Sequence, residues 1–115
     1  YSFEGEIIVL IDGGSASAGG AAPALFREYT NATLVGKETF GTAGVGNGIN
    51  RIYVKGDNTD VAISIPLMHS DIAIDEHLKR RGTIPDYEIS NSIENIVNKK
   101  DNMMEFVLKK LLPKK

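Results

Sequence analysis

Two serines two residues apart, Ser15 and Ser17, lie in the segment Gly13–Gly20, GGSASAGG, whose other residues are all glycine or alanine. An apolar run, IIVLI, precedes this segment, and a helical pattern follows it. Three kinds of chemistry fit a bare turn between a strand and a helix. Small residues let the backbone turn sharply and let the helix pack close to the sheet. A helix N-terminus has free N–H groups and about half a positive charge, so it attracts anions. A serine there is also accessible to a substrate, and the N–H of the next residue faces the place where an oxyanion forms. If Ser17 attacks, that donor belongs to Ala18. A serine nucleophile also needs a base. The histidines of the chain are His69 and His77, and neither is marked out by its spacing from the serines.

Phosphate motifs are absent. No G-x-G-x-x-G crosses Gly13–Gly20, and Gly36-Lys37 is followed by Glu38 rather than by serine or threonine. The G-x-S-x-G pattern is missing around both serines. Asp71, Asp75 and Glu76 form an acidic group without the D-x-D-x-D-G spacing of a calcium loop, so no metal and no cofactor is assigned. His69 and His77 read as surface loop residues, Lys37 and Lys55 as solvated cations. Asn31-Ala32-Thr33 matches the three-residue glycosylation acceptor pattern, which arises often by chance.

The elements that position the serines follow from periodicity. Glu6–Asp12 reads as a strand covered on both faces. Ser17–Tyr29 reads as a helix that ends near Asn31, with Pro23 inside it removing one backbone donor. Ala32–Gly36 is a second short strand, and the glycine-rich stretch 39–50 is a loop. RIYVKG and VAISIPL alternate around DNTD and predict an antiparallel hairpin. Residues 69–81 read as loop. Asn91 and Glu94 predict a capping box for a short helix. Asp101 caps a last helix with Met104, Val107, Leu108, Leu111 and Leu112 on one face. The order is mixed α/β.

The chain has 115 residues, 42% hydrophobic and 24% charged, with a net charge of −2 and no cysteine. These values suit a single soluble domain without disulfides or thiolate metal sites and give no case for nucleic acid. The balance is −6 over residues 1–78 and +4 over residues 79–115. The basic end is interleaved with apolar residues at helical spacing, the pattern of a solvated helix face. No run approaches the ~18 apolar residues of a membrane span. The chain opens at Tyr1 without a methionine, which predicts a piece of a longer protein.

VLIDGGSASAGG followed by ATLVGKETFG, RGTIPDYEI and the closing IENIVNKKDNMMEFVLKKLL resembles the C-terminal processing peptidases, or tail-specific proteases. The resemblance covers residues 6–112, in order. It implies a crotonase/ClpP-like spiral of strands and helices, of which residues 1–115 would be the C-terminal portion of a serine peptidase catalytic domain. It implies a protein or peptide substrate and an extracytoplasmic or envelope location. It maps the nucleophile to Ser17 and one oxyanion donor to the Ala18 N–H, with the second donor upstream. The lysine base of the family falls at Thr42, 25 residues after Ser17, which cannot act as a base near neutral pH. The family's acidic positions fall at Gly20 and Lys37. The tricorn-like branch, which draws a histidine from its upstream half and has a similar glycine-rich loop, therefore fits better. In that branch a glutamate orients the base, and Glu76 is the nearest candidate, although Lys79 lies closer to the expected register. The other outcome is an inactive peptide-binding module of the same fold. Crotonase-like acyl-thioester chemistry is a remoter third.

Overall fold

The computed structural model describes residues 3–43, 45–46 and 50–112. Three parallel strands form the sheet that carries the serine turn. β1 (Ile8–Ile11) lies beside β2 (Thr33–Gly36), and β2 lies beside a two-residue strand, Tyr87–Glu88. Helix α1 (Ala18–Tyr29) makes the crossover from β1 to β2. Parallel neighbours require such a crossover, and functional sites in such sheets collect at the carboxyl ends of the strands. The predicted mixed α/β order is therefore observed.

Burial on both faces belongs to β2 and not, as the apolar run of β1 predicts, to β1. Leu34 and Val35 are fully buried, whereas Leu10 of β1 is exposed and only Ile11 is buried in that strand. β1 is an edge strand, while β2 has a neighbour on each side. Gly36 closes β2 with φ 133°, and Lys37 N–H then donates to the Ile11 carbonyl at 2.9 Å.

The glycine-rich stretch contributes a two-residue strand, β3 (Val45–Gly46). It pairs antiparallel with β6 (Ser70–Asp71), which lies in the predicted 69–81 loop. Residues 44 and 47–49 of that stretch lie outside the described residues. β4 (Arg51–Lys55) and β5 (Ala62–Pro66) make the predicted hairpin, with Ile52 opposite Ile65 and Val54 opposite Ile63. Alternation puts these four side chains on one face, and all four are exposed. A 3₁₀ turn, Glu76–Arg80, follows β6, and the Tyr87–Glu88 strand is β7. The radius of gyration is 18.4 Å, against roughly 13 Å for a compact domain of ~100 residues. The exposed hairpin belongs to this extended shape.

Near the end of the chain the structure corrects two details. The capping box of α2 (Ile93–Val97) starts at Ser92, not Asn91. Ser92 Oγ accepts from Asn95 N–H at 3.1 Å, and Ser92 N–H donates to Asn95 Oδ1 at 3.0 Å. Asn91 Oδ1 instead accepts from Asn102 N–H at the start of α3 (Asn102–Phe106). Asp101 caps α3 as predicted, accepting from Met103 and Met104 N–H. The chain then continues as a π-helical turn, Val107–Leu111. The expected apolar face is mostly uncovered: Met104, Leu108 and Leu112 are exposed and only Val107 is buried. Contact with the sheet comes instead from Phe106, whose ring lies tilted against that of Tyr87 with centroids 5.2 Å apart, and from Met103 beside Gly36. Among the described residues no helix is long and apolar enough to cross a membrane.

Candidate active site

The chain leaves β1 at Ile11 and turns through Asp12. Asp12 Oδ1 accepts from Gly14 N–H at 2.9 Å and from the Ser15 hydroxyl at 3.2 Å, while Ser15 Oγ accepts from Asp12 N–H at 3.3 Å. Ser15 N–H closes the turn on the Asp12 carbonyl at 3.0 Å. Ser15 is thus a turn residue whose hydroxyl is engaged. Replacing Ser15 by alanine is expected to cost about 1 kcal/mol of folding stability, read from the urea unfolding midpoint. A loss several times larger would show that Ser15 holds more than its own turn.

Ser17 is the N-cap of α1, with φ 53° and ψ −123°. For a residue with a Cβ this is a strained backbone, of a kind that collects at functional sites. Serine at an N-cap normally has extended φ/ψ and accepts a bond from the first turn. Here the hydroxyl makes no capping bond. The Ser17 carbonyl takes up Gly20 and Ala21 N–H, each at 3.0 Å, and Gly19 N–H goes to the Ala16 carbonyl at 2.9 Å. Among the described residues the Ala18 N–H has no partner. A strained, exposed hydroxyl therefore sits directly before an unpaired N–H at a helix N-terminus. That arrangement suits nucleophilic attack with an oxyanion held by the next amide.

The turn is braced by two segments far apart in sequence. Phe40 N–H donates to the Ser15 carbonyl at 3.0 Å. Beside it, Thr39 N–H donates to the Thr83 carbonyl at 3.1 Å, and Thr83 N–H donates back to Thr39 Oγ1 at 2.8 Å. Thr39 and Thr83 are the buried polar residues among those described. Gly82 permits this approach, since a Cβ there would stand 2.0 Å from the Thr39 carbonyl oxygen. Arg81 forks onto both oxygens of Glu38, its Nε donating to Oε1 at 2.7 Å. This hydrogen bond holds the Glu38 carboxyl below its ordinary value of 4.5. A depressed carboxyl stabilises the fold above its ordinary value, and that contribution is lost as pH falls through the lower, folded-state value. Acid unfolding is therefore expected to steepen below pH 4.5, and Glu38→Gln is expected to flatten that limb. Unchanged pH dependence of the urea midpoint in Glu38→Gln would remove the link.

Asp86 anchors the sheet to α1. One carboxylate oxygen accepts from Leu34 N–H at 2.8 Å and the other from Arg27 at 2.9 Å, while Arg27 also reaches the Ile84 carbonyl at 2.7 Å. A cavity of about 120 Å³ lies between α1 and this segment, over Ala24, Leu78 and Ile84.

Glu76, the expected orienting glutamate, stands on the 3₁₀ turn with an exposed side chain. It pairs with Lys79 at 2.9 Å, and Lys79 also pairs with Asp71 at 2.7 Å. Among the described residues no hydrogen bond or ion pair joins Glu76 to the Ser15–Gly20 turn. His77 pairs with Asp75 at 2.8 Å on the surface, as a loop histidine does. Among the described residues no histidine, lysine or carboxylate hydrogen-bonds the Ser17 hydroxyl, and no cluster of three His, Cys, Asp or Glu suits a metal. Sequence reasoning missed Thr39 and Thr83. Their sole signal was that both fall inside the segments KETFG and RGTIPD.

The model of peptidase family S41 matches residues 1–89. The match reaches through β7 and includes the serine turn, both bracing segments and Asp86, while α2 and α3 follow it. No curated protein matches the chain.

Proposed function

The chain belongs to peptidase family S41, and from that premise we propose that Ser17 is the nucleophile of a serine endopeptidase. One observation carries this assignment: the strained Ser17 backbone before the unpaired Ala18 N–H. Ser17 Oγ forms a bond to the carbonyl carbon of a peptide. The Ala18 N–H donates to the resulting oxyanion. The C–N bond then breaks, the hydroxyl proton passes through the base to the leaving amine, and water hydrolyses the acyl-enzyme. The base is assigned to a histidine outside residues 1–115. In support, no base bonds the Ser17 hydroxyl among the described residues, and the lysine position of the family is Thr42. The same two points favour the histidine-using, tricorn-like branch of C-terminal processing peptidases; the crotonase-like spiral is what membership of the family implies. Glu76 keeps the role of an orienting glutamate only if the base approaches the 3₁₀ turn.

The absence of a base at Ser17 also favours a second reading, a peptide-binding module that has lost catalysis. The strain at Ser17 weighs against it, because such strain costs stability and persists where a function uses it. A fluorophosphonate probe on the full-length protein, followed by mass spectrometry of the labelled peptide, separates the two. Label on Ser17 is expected. Label on Ser15 would overturn the assignment, and absence of label would refute the peptidase and favour the module.

A further inference from the structure

Ser17 is bracketed by two carbonyls that are both held from outside the turn. The Ser15 carbonyl accepts from Phe40 N–H at 3.0 Å. The Gly20 carbonyl accepts a long hydrogen bond from the Thr83 hydroxyl at 3.4 Å. The two holders are themselves joined. Thr39, next to Phe40, exchanges two hydrogen bonds with Thr83, at 2.8 Å and 3.1 Å. Gly20 is part of the same fit: a Cβ there would meet the Ser15 carbonyl at 3.4 Å, the Phe40 carbonyl at 3.5 Å and Thr39 Oγ1 at 3.8 Å. A strained residue keeps its conformation only where its surroundings over-determine it. Buried, mutually satisfied hydrogen bonds supply that rigidity better than exposed ones.

We propose that Thr39 and Thr83 are positioning residues, a buried pair that clamps both flanks of Ser17 and so aims its hydroxyl and the Ala18 N–H together. The catalytic part of this inference rests on Ser17 being the nucleophile; the clamp itself does not. The pair touches no reacting atom. Glu38 and Arg81 close the outer end of the same clamp, one residue before Thr39 and two before Thr83.

The test uses Thr83→Val in the full-length protein, which at nearly constant volume removes the hydroxyl holding the Gly20 carbonyl and so frees one flank of Ser17. The two bonds to Thr39, made by the Thr83 backbone, stay in place. Thr83→Ser serves as the rescue, and Thr83→Ala serves if valine prevents folding. Two readouts are taken on folded protein: the rate of fluorophosphonate labelling at Ser17, and the amide resonances in selectively ¹⁵N-alanine-labelled protein. Thr83→Val is expected to slow labelling by about 10- to 100-fold, the scale of a small misplacement of reacting groups. It is also expected to shift the Ala18 resonance and leave that of Ala62, in the hairpin, unchanged. Thr83→Ser is expected to restore both. A purely structural role would lower the unfolding midpoint and leave both readouts at wild-type values, and that result overturns the proposal. Wild-type protein that takes no label while Ala18 still shifts in Thr83→Val would refute the peptidase reading and support the clamp. Normal labelling of Thr83→Val without a shift would refute the clamp and leave the peptidase reading standing.

Discussion

Replacing Ser17 by glycine is expected to yield a protein more stable than the wild type and chemically inert. Ser17 holds φ 53° and ψ −123°, a backbone that costs a residue with a Cβ about 1–3 kcal/mol. Glycine reaches the same dihedrals without that penalty, at an entropic cost of about 0.4–1 kcal/mol through the unfolded chain. A net gain of about 1 kcal/mol follows from these two effects. Ser17→Ala keeps its Cβ, keeps the strain and is expected to show no such gain. The two variants share the chemical outcome. Without the hydroxyl no acyl-enzyme forms, and loss of a serine nucleophile lowers kcat on the order of 10⁶-fold. Removal of one oxyanion donor, by comparison, costs ~10²–10³. The pair therefore separates strain from chemistry: urea midpoints report the first, turnover and fluorophosphonate labelling the second. Equal midpoints for Ser17→Gly and Ser17→Ala would show that the turn stores no strain. Surviving turnover in either variant would show that another residue attacks. Stability gained by abolishing a function is the trade-off expected where an active site is held in an unfavourable conformation.

The largest effect on folding is expected at Gly36. A Cβ there would stand 1.9 Å from the Ile11 carbonyl oxygen and 2.9 Å from the Met103 sulfur, at φ 133°. The carbonyl cannot retreat, because it accepts Lys37 N–H at 2.9 Å and belongs to the register of β1 with β2. Gly36→Ala must therefore pull the two strands apart at their carboxyl ends, just before the serine turn. A loss of more than ~4 kcal/mol is expected, in the range that identifies a specific steric failure and comparable to the whole stability of many domains. Gly41→Ala is the matched control. It also has positive φ, 81°, but nothing lies within 4 Å of the added carbon. Its cost is expected to be only the backbone term, about 1–2 kcal/mol. Urea unfolding of the two variants side by side gives the comparison, and similar midpoints would refute the steric account.

Much of the local architecture is written in residues close together in the chain. The apolar run ending at Ile11, the small residues of Gly13–Gly20 and the helical pattern to Tyr29 are enough to place a strand, a turn and a helix around Ser17. The hairpin of β4 and β5 follows from alternation, and the cap at Asp101 from one side chain meeting amides two and three residues on. The engagement of Ser15 in its own turn is likewise a short-range property, read from serine's habit of bonding nearby backbone. Family membership belongs with these, since the G-S-A-S-A, T-F-G and P-D segments are linear motifs.

Other features required the folded chain. β3, β6 and β7 are two residues long, too short to show any period, and exist only because Val45 meets Asp71 and Val35 meets Tyr87. Which strand is buried on both faces was decided by tertiary packing, with β2 central and buried and β1 at the sheet's edge, because periodicity reports apolar content and not what packs against it. The terminal helix turned a different face to the sheet, Met103 and Phe106, because contact with Gly36 and Tyr87 set its phase. The strain at Ser17 is invisible in sequence. Serine has no preference for positive φ, and the conformation is imposed by hydrogen bonds arriving from Phe40 and Thr83. Thr39 and Thr83 lie 44 residues apart, and each alone reads as an ordinary polar residue. Only when the segment after β2 and the segment before β7 come side by side does burial force their donors and acceptors onto each other, since a buried polar group left without a partner is costly.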